Sequence, residues 1–166
     1  MLNPPATEAT PASPPMVAPI DVLQQLPLAV ALRESVWAFP LLEIVHIAAI
    51  AAMVGSVLMI EMRVFGLRKA LPLVELGKLG TGIAIVAFAV IVASGSLLFL
   101  TDPVSYIANP AFAIKLGLIA IAATNMVVFH VRGSLARPDA IAKAQAALSL
   151  LLWLGVIGAG RMIAYI

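Results

Sequence analysis

WAFPLLEIVHIAAIAAMVGSVLMIEMRVFGL, residues Trp37 to Leu67, is apolar for long enough to cross a bilayer, yet it carries Glu43, His46, Glu61 and Arg63. A hydrocarbon layer about 30 Å thick needs about 20 apolar residues of helix. Ionisable groups at that depth are costly and normally face a bundle interior or a wet cavity, so a functional site is sought here first. On a helix Glu43 and His46 are i,i+3 neighbours, and Ile50, Val54 and Glu61 fall on or beside the same stripe. That stripe is expected to face other protein.

The rest of the chain has the same character. Of 166 residues, 63% are hydrophobic and 11% charged, with a mean hydropathy of +1.10. A soluble domain has about 45 to 50% apolar and about 25% charged residues. The pI of 9.3 reflects an excess of only +2, and most basic residues sit in two loops beside apolar spans. This is the pattern of membrane topology, and it excludes nucleic acid as a partner in favour of the lipid bilayer. Without cysteine there is no disulfide, thiolate metal site or cysteine nucleophile.

Residues 1–20, rich in Pro, Ala and Thr, bury too little to offset their ordering entropy and read as a mobile tail. The tail lacks the basic region and apolar core of a signal peptide and is expected to persist in the mature protein. Residues 21–36 mix apolar and polar groups around Pro27 and read as a segment along the membrane interface or, alternatively, a linker. Residues 37–166 hold four apolar spans, about 37–62, 80–101, 111–131 and 143–165. Short connections favour antiparallel neighbours, which predicts an all-α, up-down-up-down four-helix bundle in the membrane. Asn109-Pro110 matches a capping residue followed by proline at the first helical position.

Arg63, Arg68, Lys69 and Lys78 join the first two spans; Arg132, Arg137 and Lys143 join the last two. Both loops lie on one side of a four-span bundle, which the positive-inside rule makes cytoplasmic, leaving both termini outside a bacterial inner membrane. At about 1.5 Å of rise per residue, Glu43, His46, Lys115 and Arg161 share one layer in the outer half. Glu61, Arg63, Asn125 and His130 form a second, looser layer at the inner boundary. Lys115, near a helix N-terminus, opposes the macrodipole and is expected to pair with Glu43 across the bundle or, alternatively, with Asp102.

Two histidines in a four-helix membrane bundle suggest haem b, but His46 and His130 lie about 20 Å apart in depth and cannot share one iron. A single haem would take His46 as axial ligand, with Met162 or Lys115 opposite. Glu43-x-x-His46 supplies only two ligands to a bare metal, and the cations of that layer repel one, so no metal site is assigned. The outer layer is then either a polar network that locks the bundle or a site for a small anionic ligand.

Five stretches also occur together: W-x-x-P-L-L-E-x-x-H at Trp37 to His46, M-R-V-F-G-L at Met62 to Leu67, N-P-A-F-A-I-K at Asn109 to Lys115, N-M-V-V-F-H at Asn125 to His130 and G-R-M-I-A-Y at Gly160 to Tyr165. Over about residues 37–166 the chain resembles a family of small four-helix bacterial inner-membrane proteins of unknown activity, itself distantly similar to the membrane region of copper-resistance protein D. The resemblance implies fold and location but no reaction.

No Gly-rich phosphate loop, serine elbow or HExxH is present, and no catalytic residue is assigned. Two readings remain. One is a membrane subunit or small carrier, alone or with other subunits or copies of itself, whose outer layer is structural or binds a small ligand. The other is a b-type haem electron-transfer protein built on His46.

Overall fold

A computed structural model describes residues 18–165. The described residues form seven helices and no strand: α1 (Ala18–Gln24), α2 (Pro27–Glu34), α3 (Ala38–Val64), α4 (Leu73–Thr101), α5 (Pro103–Ala108), α6 (Pro110–Val131) and α7 (Ala140–Met162). The tail expected over residues 1–20 lies largely outside them.

Helices α3, α4, α6 and α7 are each long and apolar enough to span a bilayer. They form two antiparallel hairpins, α3 on α4 and α6 on α7, which meet along α3 and α7. The protein is an all-α integral membrane bundle of four helices. Its outward faces are apolar: Val86, Val127, Leu151 and Leu154 are each at least 60% exposed. In water such a surface would drive aggregation, whereas lipid covers it at no cost.

Helix ends follow from local chemistry. Proline stands at the start of α2, α5 and α6, where its missing N–H is not needed. The Asn109 side chain accepts the Ala111 N–H at 2.9 Å, and the Asp139 carboxylate accepts the Ala142 N–H at 2.8 Å. Helices α3 and α6 end alike: Gly66 and Gly133 take positive φ, and the next residue's N–H returns to Met62 O and Phe129 O, respectively. That is a Schellman closure, which uses the left-handed backbone glycine adopts without strain.

Small side chains set the spacing inside. Ala84, Ala87 and Ala122 are buried with Met53, Trp153 and Val156 at mid-bundle, and Ile60, Phe129 and Ala146 form a second cluster nearer the basic loops. At Gly80 α4 packs tightly on α3, since a Cβ there would lie 2.8 Å from Ile60 Cδ1 and 3.4 Å from Ser56 O.

Two details depart from the sequence reading. Helix α4 begins at Leu73, two turns before the apolar run near residue 80: buried Leu73 joins the second core cluster, and Glu75 and Lys78 pair at 2.9 Å on the exposed side of these turns. The connection after α4 is itself helical as α5, with Asp102 accepting the Ser105 N–H and Pro103 at the first position. At that same end α1 and α2 pack against α4 and α5, with Ala29 fully buried.

Candidate functional site: two polar layers

At the α5 end of the bundle, His46 on α3 reaches α4. Its Nδ1 lies 2.8 Å from Ser94 Oγ, and Ser94 sends its own proton to Val90 O at 2.6 Å. The serine therefore accepts, Nδ1 donates, and Nε2 of the neutral ring keeps its lone pair. Gly95 makes room, because a Cβ there would stand 3.1 Å from His46 Cε1.

Lys115, one turn into α6, is an electrostatic neighbour of His46. Its stem crosses to α7 over Gly160, where a Cβ would sit 3.6 Å from Nζ. The ion pair expected with Glu43 is not formed. Among the described residues the only salt bridges are Glu75–Lys78 and Arg132–Asp139, both near the basic loops. Glu43 is exposed, and its charge is felt instead at Tyr106 of α5. Burial, then the charges of Asp102 and Glu43, push the Tyr106 phenol above its ordinary value. The Lys115 stem lies over Gly160 of α7, a lateral direction that spacing along the sequence does not carry.

Arg161, the fourth member, is exposed at the rim. Its Nη2 donates to the Tyr165 hydroxyl at 2.6 Å, and its guanidinium lies 4.9 Å from that ring's centre. The layer thus contains one cross-helix hydrogen bond and two charges, Glu43 and Lys115, with no hydrogen bond or ion pair among the described residues. A network that locks helices satisfies its members, and this one does not.

The second layer lies toward the basic loops. Glu61, Asn125 and His130 line one cavity of about 50 Å³, joined by Thr81 of α4 and by Gln145 and Ser149 of α7. His130 Nδ1 donates to Met126 O at 2.9 Å, so Nε2 accepts the Thr81 hydroxyl at 3.0 Å. Asn125 Nδ2 donates to Gln145 O at 3.0 Å, joining α6 to α7. Arg63 is not among the lining residues. It donates to Leu71 O at 2.8 Å and Lys69 O at 3.1 Å, fastening the α3–α4 loop.

The two histidines face Ser94 and Thr81 of the same helix, residues separated by ~20 Å at 1.5 Å per residue. One iron cannot bridge them. No group of three or more His, Cys, Asp or Glu side chains placed to hold a metal occurs among the described residues. Thr81, Gln145 and Ser149 escape a sequence reading because hydroxyl and amide groups are common in spans, and Ser94 reads there only as a small residue that lets helices approach. The signal available was spacing, since Gln145 and Ser149 are i,i+4 neighbours and the only polar side chains of α7 between Lys143 and Arg161.

Comparison of the chain with protein-family models, with curated proteins and with solved structures gave no match.

Proposed function

We propose that this integral membrane protein is a small carrier or membrane subunit whose polar layer at the α5 end binds a small anionic ligand, carboxylate or phosphate, through Lys115 and His46. The observation that carries the reading is the unpaired Lys115 ammonium, half-buried beside His46. An ammonium at membrane depth is retained where something anionic offsets it. Protonation of His46 Nε2 would supply a second donor, and exposed Arg161 stands at the rim as an electrostatic guide. The basic loops at the opposite end support a bacterial inner-membrane orientation with both termini outside.

The test is thermal stability of the detergent-purified protein in phosphate and in succinate, against gluconate at equal ionic strength. Stabilisation by either of the first two, lost in Lys115→Met, is expected; an unchanged response in that variant refutes the site. Native mass spectrometry separates two sources of the same chemistry: a retained phospholipid that Lys115→Met removes assigns the ammonium to a headgroup.

One observation favours a second reading, b-type haem held by His46: Nδ1 is fixed by Ser94 and Nε2 is left as the ligating nitrogen. A Soret band lost in His46→Ala and kept in His130→Ala is its expected signature. A purified protein without that band disposes of it.

A further inference from the structure

Glu61 is 4% exposed, in the inner half of α3. Its Oε2 is out of reach of solvent and makes no hydrogen bond. A buried carboxylate normally recruits an arginine or lysine. Here neither nearby guanidinium serves. Arg63 is spent on Leu71 O and Lys69 O, and Arg132 on Gln145 Oε1 and Asp139 Oδ2.

The cavity beside Glu61 is walled mainly by apolar side chains such as Val57, Ile60, Phe129 and Trp153, and the polar groups set among them offer oxygen. Ser149 is its hydroxyl neighbour. Thr81 Oγ1, having given its proton to His130 Nε2, turns lone pairs to the shared cavity. Asn125, donating through Nδ2 to Gln145 O, keeps Oδ1 as an acceptor. These oxygens come from all four long helices. A water needs about 10–15 Å³ of cavity space, so the 50 Å³ cavity has room for one small ion with a few waters.

From this we infer a cation site: Glu61 is the sole anionic ligand of one small monovalent cation of the sodium class, with Ser149, Thr81 and Asn125 completing an oxygen shell. The donor set selects the class. Oxygen-only ligands suit hard cations rather than copper or zinc. A single carboxylate balances one positive charge and leaves a divalent ion under-neutralised in a low dielectric. His130 orients Thr81, and its Nε2 is already committed to that hydroxyl, so it is a positioning residue rather than a ligand. The site is independent of the anion site proposed at the other end.

Dicyclohexylcarbodiimide, an apolar reagent that modifies buried carboxylic acids, reads the site directly. The purified full chain is labelled at fixed pH in Na⁺ or in choline, and Glu61 is followed by peptide mass spectrometry. Competition at one site slows labelling by 1 + [Na⁺]/Kd, about 11-fold at ten times Kd. The proposal expects this saturable protection, its weakening in Asn125→Leu, and a Na⁺-dependent rise in melting temperature that Glu61→Gln abolishes. Equal labelling and equal melting in Na⁺ and choline would overturn it and leave a water-filled cavity. If Glu61 resists labelling altogether, the melting response of the wild type decides alone. A Na⁺ response that persists in Glu61→Gln would overturn it too.

Discussion

Asp139 accepts the Ala142 N–H at 2.8 Å and holds Arg132 Nη2 at 3.1 Å, so the start of α7 and the end of α6 share one carboxylate. The Ala142 N–H first, then Arg132, hold that carboxyl below the usual aspartate range. A folded value below the unfolded one gives stability that is complete above about pH 4, the unfolded value, and lost as pH falls through the folded one. Acid titration of the folded protein should show this loss below about pH 4 in wild type and a flatter profile in Asp139→Asn, which keeps a capping oxygen without the charge. Identical profiles would mean other carboxyls set the acid limit. At the other end Ser94 is the acceptor that fixes His46. Ser94→Ala should cost about 1 kcal/mol by stranding a partly buried donor. Nitrogen-15 spectra of the His46 ring should then show mixed tautomers in place of one.

Helices were easier to read than their neighbours. Four apolar runs of bilayer length identify α3, α4, α6 and α7, because lipid leaves a helix no alternative to length and hydropathy. Helix α5 was overlooked although Asp102 and Pro103 carry its start signal, since TDPVSYIANP looks like turn chemistry throughout. Pairing between elements was least legible, because small residues line several faces of each span and the sequence does not say which face meets which helix. The glycines of α4 make the point. Gly80 is pressed against Ile60, while nothing approaches Gly82 within 4 Å. Gly80→Val should therefore wedge α3 from α4 and cost about 1–3 kcal/mol, whereas Gly82→Val should be close to neutral. Unfolding in graded denaturing detergent compares them, and equal losses would place the tight α3–α4 packing elsewhere.

Taken as a whole the molecule is two antiparallel hairpins with oxygen- and nitrogen-bearing groups gathered into one layer near each end and alanine and aliphatic packing between. The layers were legible as depths and not as contacts. His46 and His130 fall where rise per residue puts them, but the lateral reach of Lys115 and Arg63 depends on side-chain direction that periodicity does not carry. The same antiparallel order places the loop between α3 and α4 and the loop between α6 and α7 at one end, with α5 at the other. Seven of the ten lysines and arginines lie in or beside those two loops, and the positive-inside rule predicts a cytoplasmic place for them that labelling of introduced thiols tests. The chain has no cysteine, so each introduced thiol reports without background. Ser105 is exposed in α5, and Ala136 is exposed in the α6–α7 loop, whereas its neighbour Ser134 is 2% exposed and would label poorly. A membrane-impermeant maleimide added to intact cells should modify Ser105→Cys at once and Ala136→Cys only after permeabilisation. The reverse order would invert the orientation and leave the bundle intact. Labelling of both from one side would be incompatible with the single span, α6, that separates them and would reject the antiparallel hairpins themselves.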